Sequence, residues 1–227
     1  MAFLLHIESS STLCSVALSK GDRLLALKEI NAGYTHAENL HVFIKELLQE
    51  QEITVAQLQA ISVSSGPGSY TGLRIGFATA KGLAYALRIP LLVVDTLKVM
   101  TSLAVKQYPG ASLYCPMLDA RRMEVYTALY TRDLELQMAP AALVLDEVSI
   151  GCFREPGTSV CFFGDGMPKA KTLLERIPFS HFPEGIHPGS EAMIPLAWQK
   201  FLNKDFADTA YAEPFYLKDF FFTTAKK

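Results

Sequence analysis

The stretch Gly66-Pro67-Gly68-Ser69-Tyr70-Thr71-Gly72-Leu73-Arg74 carries the most chemistry in this chain. Glycines placed between a strand and a helix let backbone amides approach an anion, and the positive end of the helix favours negative charge, so a phosphate is the ligand such a turn would hold. No Gly-Lys-Ser/Thr follows, so it is not a P-loop. The plain alternative is a tight strand-to-helix turn. Two carboxylates add to the phosphate reading, each at the end of an expected strand: Glu8, before Ser9-Ser10-Ser11-Thr12, and Asp119, before Ala120-Arg121-Arg122. Carboxylates so placed would orient a hydrated magnesium ion or a nucleophile in a nucleotide-dependent phosphotransferase. The structural alternative makes Glu8 a strand-end residue and lets Asp119 turn with Arg121. The candidate nucleotide or phosphate contacts are Glu8, Ser9, Ser10, Ser11, Gly66, Gly68 and Ser69.

Other reactive side chains are less organised. At about 100° per residue His36 and His41 lie some 140° apart around a helix, whereas zinc-binding helices place ligands four residues apart on one face. His181 and His187 fall in a proline-containing loop without a nearby acidic cluster, so no metal ligand is assigned. No G-x-S-x-G frames a serine and no cysteine has a base at a recognisable spacing, so no catalytic residue is assigned either. Cys14, Cys115, Cys152 and Cys161 show no C-x-x-C spacing and read as free thiols.

The elements that must hold these residues are clear in the first half. Phe3 to Glu8, Leu13 to Ser19 and Arg23 to Ile30 form an antiparallel meander. Thr35-His36-Ala37-Glu38 has the pattern of a capping box, and Leu40, Ile44, Leu47 and Leu48 follow at helical spacing to about Gln51. Ala60 to Ser65 is a strand, Tyr70 to Leu87 a long helix, Leu91 to Val94 a buried parallel strand, and Asp95 caps a helix through Val105. Gln107-Tyr108-Pro109-Gly110 marks the boundary between residues 1–108 and 109–227. The second half repeats the first in outline: Leu113 to Asp119 and Met123 to Tyr130 as a hairpin, Leu143 to Asp146 as a strand, then Val160 to Phe163 running into Gly164-Asp165-Gly166 and a short helix. A long loop over 176–190 precedes a helix from Glu191 to Leu202, expected to pack back on the first lobe, and an irregular aromatic tail. Two mixed-sheet α/β lobes facing a cleft are the expected architecture.

From the glycine-rich turn along the long helix, Gly68, Gly72, Gly76, Ala80 and Ala84 recur every four residues. Interior glycine costs a helix about 1 kcal/mol relative to alanine, so the stripe needs a compensating reason, and close approach of another helix supplies one. That helix can belong to this chain or to a partner. The candidate interface residues are Leu40, Ile44, Leu47, Gly72, Leu73, Gly76, Phe77, Ala80 and Ala84.

Composition narrows the class. The chain has 227 residues, 50% of them hydrophobic and 19% charged, with a mean hydropathy of +0.19 and a pI near 6.2. That is too apolar for a disordered chain, and no run approaches the roughly 18 apolar residues of a membrane span. A net charge of −2 supplies no field favouring nucleic acid or anionic membrane. The opening residues lack a cationic region before their short apolar stretch, so a cytoplasmic location without membrane contact is expected.

The glycine-rich stretch through Ile75-Gly76 resembles the TsaB (YeaZ) family of bacterial threonylcarbamoyladenosine biosynthesis proteins. So do Ile7-Glu8-Ser9-Ser10, Cys14 to Leu18, His36-Ala37-Glu38, Asp119-Ala120-Arg121 and Glu124-Val125-Tyr126, with Gly164-Asp165-Gly166 and Tyr216-Leu217 as looser anchors. The resemblance implies a two-lobed, actin-like and Hsp70-like ATPase (ASKHA) fold with a duplicated mixed sheet. It implies a non-catalytic scaffold subunit for threonylcarbamoyl transfer to N6 of adenosine 37 in ANN-decoding tRNAs, acting with the transferase TsaD and the ATPase TsaE. It further implies pairing through the two first-lobe helices, as a homodimer in isolation or a heterodimer with TsaD, and contact with tRNA only through the complex. ATP or ADP with magnesium at a subunit junction is the one cofactor it admits; none is expected to be tightly bound. The alternative is a phosphotransferase of the same fold. A metallopeptidase, the old M22 glycoprotease label, is least supported: related catalytic members use H-x-x-x-H, and His41 is one residue out of step with His36.

Overall fold

The computed structural model describes residues 2–33, 35–154 and 156–218. Strands β1 (Phe3–Glu8), β2 (Cys14–Lys20) and β3 (Arg23–Ile30) form the meander. Leu5 pairs with Leu18 and Ile7 with Val16 across its first hairpin. Strands β4 (Leu58–Ser64) and β5 (Leu91–Val94) add in parallel, giving the order β3-β2-β1-β4-β5. The second sheet is built from β6 (Leu113–Asp119), β7 (Glu124–Thr131), β8 (Leu136–Val144), β9 (Val160–Phe163) and β10 (Ser180–His181), in the order β10-β9-β6-β7-β8. Read from its β8 edge, this repeats the first sheet strand for strand, a meander followed by two parallel additions. The duplication that the sequence only outlines is complete in the topology.

Helices α1 (His36–Glu50) and α2 (Tyr70–Leu87) cover one face of the first sheet. Leu40, Ile44, Leu47, Phe77 and Ala80 pack there on Leu5, Ile7, Val16 and Val63. The other face is covered by α5 (Ser190–Leu202), whose Met193 and Ala197 meet Leu4, Ala60 and Leu92. At its start, Ser190 N donates to Ser15 Oγ at 3.1 Å and the two hydroxyls lie 2.6 Å apart, fixing α5 on β2. Helix α3 (Thr96–Gln107) crosses the other way: Leu97, Met100 and Ala104 pack on Tyr114, Leu118 and Phe163 of the second sheet. Each sheet is thus closed on one face by a helix from the other half of the chain. The remaining face of the second sheet carries the short α4 (Lys171–Leu174) and a turn of 3-10 helix at Ser149–Phe153. Burying a leucine or phenylalanine in these layers stabilises by about 1.5–3 kcal/mol each.

Two local expectations are corrected. The strand expected over Leu143 to Asp146 runs instead from Leu136 to Val144. It is a half-exposed edge strand containing Pro140, so it lacks the apolar run that marks a central strand. Asp146 lies beyond it and holds a turn, its Oδ1 accepting from Ser149 N at 2.7 Å and Val148 N at 3.0 Å. The capping box at Thr35 does not form. Thr35 has ψ 18°, outside the extended region from which an N-cap side chain reaches its helix, and its hydroxyl makes no cap bond. The buried His36 anchors this end, its Nε2 hydrogen bonding with Ser11 O at 2.8 Å.

Candidate functional site

The turn after β4 is fixed from three sides. Ser65 N donates to Val94 O at 2.8 Å, Gly66 N to Thr96 Oγ1 at 3.0 Å, and Thr96 N back to Gly66 O at 3.1 Å, tying the turn to the start of α3. Ser69 is the N-cap of α2, its Oγ accepting from Gly72 N at 3.2 Å. Ser69 N donates to Ser10 O at 2.6 Å, and Ser9 Oγ donates to Gly72 O at 2.9 Å. The carbonyls of Ser10 and Ser11 and the hydroxyl of Ser9 thus hold the β1–β2 hairpin against both helices.

This contact explains the small-residue stripe within the chain, the first of its two readings. A Cβ on Gly68 would lie less than 3 Å from Ser10 O, one on Gly72 less than 3 Å from Ser9 O, and one on Gly76 less than 3 Å from Ser9 Oγ. The glycines let α2 lie on the hairpin of its own lobe. Leu40, Leu47, Leu73 and Ala80 are wholly buried, and Ile44, Phe77 and Ala84 nearly so. Of the candidate interface residues only Ile44 reaches the surface, at a groove beside α1; the others are taken up inside this chain. The outward face of α2 carries a second small stripe offset by two residues, Ala78, Gly82 and Ala86, with Tyr85 beside it, all exposed.

The hairpin itself is closed. Glu8 is fully buried, and its Oε1 accepts from Ser10 N at 2.7 Å and Ser64 Oγ at 2.8 Å. Burial pushes its carboxyl above the usual carboxylate range, against the opposing pull of hydrogen bonds from Ser10, Ser64 and Ser9. The Ser9 and Ser10 amides, which could have met a phosphate, are turned onto the carboxylate instead. Glu8, Ser9 and Ser10, the last 1% exposed, are therefore withdrawn as phosphate contacts. Gly66 is buried as well, with Phe215 O 2.8 Å from where its Cβ would stand.

Ser11, Gly68 and Ser69 remain at a cleft between the lobes with a volume of about 660 Å³. Ser10 to Thr12 and Pro67 to Thr71 line it from the first lobe, Leu118 to Arg121, Tyr126 and Asp165 from the second, and Phe215 to Lys218 from the tail. A volume of this order suits a nucleotide-sized ligand. Asp119 is exposed; its Oδ1 accepts from Arg121 N at 3.1 Å and is ion-paired with Lys169. Asp119 N donates to Asp165 Oδ1 at 3.0 Å, and burial, with the Asp119 charge, raises the Asp165 carboxyl. Sequence reasoning named Asp165 and Tyr126 only within short motifs and missed Lys169, Phe215 and Lys218. Tyr216-Leu217 was the one available signal for the tail. Among the described residues, no three histidine, cysteine or acidic side chains converge to hold a metal ion, and His41 Nε2 lies 3.4 Å from Thr79 Oγ1. Cys14, Cys115 and Cys161 are buried and Cys152 is exposed, all as free thiols. No described helix is long and apolar enough to cross a membrane.

The family model for TsaD, tRNA N6-adenosine threonylcarbamoyltransferase, matches residues 30–183. The tRNA threonylcarbamoyladenosine biosynthesis protein TsaB of Bacillus subtilis is 31% identical over 176 residues, 77% of this chain and 76% of that protein. TsaB of Buchnera aphidicola is 33% identical over 130 residues, 57% of this chain and 58% of its own length. The crystal structure of YeaZ from Pseudomonas aeruginosa superposes with a TM-score of 0.81 at 27% identity, covering 96% of this chain and 100% of that one. The activator of the 2-hydroxyisocaproyl-CoA dehydratase from Clostridium difficile superposes with a TM-score of 0.51 at 10% identity, covering 91% of this chain and 98% of that one, a likeness of fold alone. The chain belongs to the TsaB (YeaZ) family, on the actin-like ASKHA fold, within the wider family that the threonylcarbamoyltransferase model describes.

Proposed function

We propose that this chain serves the synthesis of N6-threonylcarbamoyladenosine at position 37 of ANN-decoding tRNAs in the cytoplasm, as a non-catalytic companion of the transferase TsaD that works with the ATPase TsaE. Family membership supports the pathway. The observation that carries the companion role is the outward face of α1 and α2. Val42 is 47% exposed and Tyr85 81%, and an apolar groove lined by Ile44, Leu48, Ile53, Val55 and Leu83 runs beside them, with His41 and Lys45 at its rim. A Cβ on Gly82 would meet nothing within 4 Å. An exposed interior glycine lowers helix stability with no contact inside this chain to offset it, and a smooth face for a second helix supplies the reason. The same face would pair two copies of this chain when TsaD is absent, and tRNA would be reached through TsaD.

For ATP or ADP at the junction, the start of the first hairpin is a poor fit, because Glu8 engages the Ser9 and Ser10 amides. Ser11, Gly68, Ser69 and Arg121, with the start of α2, are the residues left to hold phosphates. A phosphotransferase reading of the cleft keeps only one of its two carboxylates, since Asp119 lines the cleft and Glu8 is buried away from it.

Gly82→Leu tests the companion role. It adds a bulky side chain to an open helix surface, so the variant should melt at or slightly above the parent's temperature yet lose co-purification with TsaD at least tenfold. Undiminished binding by a folded Gly82→Leu chain would refute the assigned face.

A further inference from the structure

The chain after α5 follows a defined path. Ala207 N donates to Leu91 O at 2.8 Å, and Asp208 Oδ1 accepts from Ala210 N at 2.8 Å, turning the chain along the first lobe. Lys81 of α2 donates to Ala210 O at 3.1 Å and Ala212 O at 2.8 Å. Phe215 N then donates to Ser65 O at 2.7 Å, so the tail lies directly on the glycine-rich turn. Gly66, at φ 100°, lacks the side chain that would strike Phe215 O. The Tyr216 ring packs on Tyr70 with centroids 5.0 Å apart. Two residues further on, Lys218 is ion-paired with Glu124 at the start of β7, in the opposite lobe.

The segment therefore spans the mouth of the cleft from one lobe to the other. Its inner end is seated on a turn shaped to receive it. Its outer end is held by a ring contact and a partly exposed ion pair, with Phe215 44% and Tyr216 37% exposed. Such contacts are individually weak, so this end detaches far more readily than the lobes unfold.

We propose that residues 213–218 form a strap that closes the interlobe cleft, and that a phosphorylated ligand entering the cleft displaces it. The displacement half rests on the nucleotide reading given above; the closure half does not. Access to the cleft can be measured without any ligand. Ser11→Cys places a thiol on the cleft wall, and Cys152→Ser removes the exposed native thiol while the other three cysteines stay buried. Maleimide should modify the introduced thiol at least tenfold faster when Tyr216→Ala and Lys218→Ala are added, and severalfold faster with Lys218→Glu alone, which repels Glu124. Equal rates in all three full-length chains overturn the strap. Magnesium ADP is the probe for displacement: it should slow the modification, and do so at lower concentration in the strap-weakened chains. It should also speed hydrogen exchange at the Phe215 amide of the parent. Protection of the thiol at the same concentration in every chain overturns displacement. No protection in any chain overturns the nucleotide reading, and displacement with it, while the modification rates still decide closure.

Discussion

The hairpins that end β1 and β6 stand at equivalent places in two sheets of the same strand order, yet their chemistry has diverged. At the first, Glu8 is buried and takes the Ser10 amide to itself. At the second, Asp119 is exposed at the cleft and paired with Lys169. The neighbours set the difference. Glycines meet both hairpins, Gly68, Gly72 and Gly76 at the first and Gly164 and Gly166 at the second, but the first three lead into and along a long helix that seats on the hairpin, whereas only the short α4 and its preceding turn follow in the second lobe. Duplication preserved the backbone path. Both hairpins line the cleft, but the first keeps its carboxylate inside as a platform for the helix pair, while the second presents its carboxylate to the cleft.

Acid should separate the two lobes most strongly. His6 is buried between Ser62 Oγ at 2.7 Å and Ser19 Oγ at 2.8 Å, and burial lowers its pKa to about 3. The native state then holds fewer protons than the unfolded one. Its contribution is fully present above the ordinary histidine value and falls away as pH drops towards 3, at a total cost of about 5 kcal/mol. Met117 occupies the equivalent position in the second lobe and does not titrate. Hydrogen exchange at pH 4–5 should therefore release β1, β2 and β4 before β6 and β9. Simultaneous release of both sheets would remove His6 as the cause.

Glycine substitutions sharpen the contrast between the two faces of α2. Gly72→Ala drives a methyl group into Ser9 O and should lose about 3 kcal/mol in denaturant unfolding. Gly82→Ala should gain up to about 1 kcal/mol. Equal effects would return the inner stripe to the surface.

The carboxylates give the smallest effect. The Glu8 pKa is raised on folding, so its contribution is fully present below the unfolded carboxylate value and is lost as pH rises through the folded one. Glu8→Gln keeps an acceptor for Ser10 N and Ser64 Oγ and removes a buried charge. It should raise stability by about 1 kcal/mol at pH 8 and leave it nearly unchanged at pH 4. Asp119→Asn, at an exposed pair, should change it by less than about 0.5 kcal/mol at either pH. A loss of stability in Glu8→Gln at pH 8 would show the charge to be structurally required.

Much of the fold was legible because the first lobe writes its elements as unbroken apolar runs punctuated by glycine and proline. Phe3 to Glu8, Tyr70 to Leu87 and Leu91 to Val94 have the boundaries that the sequence indicates. Strand β8 was displaced because Pro140 and its exposed edge mask the pattern. The glycine stripe was visible as a period of four, but a period gives a face and not what lies opposite it. The hairpin that presses on it comes some sixty residues earlier, and only burial distinguishes the inner stripe of Gly72 and Gly76 from the outer one of Ala78 and Gly82. Glu8 was recognised as a site residue and its direction was not, because an inward turn depends on Ser64 in another strand. The tail across the cleft has no periodicity to read.

If the outer face of α2 serves tRNA modification and the closed hairpin does no chemistry, the two can be separated in cells whose only copy of this chain carries Gly82→Leu or Glu8→Gln, by quantifying threonylcarbamoyladenosine in their tRNA by mass spectrometry. Gly82→Leu should lose the modified nucleoside with the chain still folded, and Glu8→Gln should retain it. Retention in Gly82→Leu together with loss in a folded Glu8→Gln chain would reverse the assignment of the two regions.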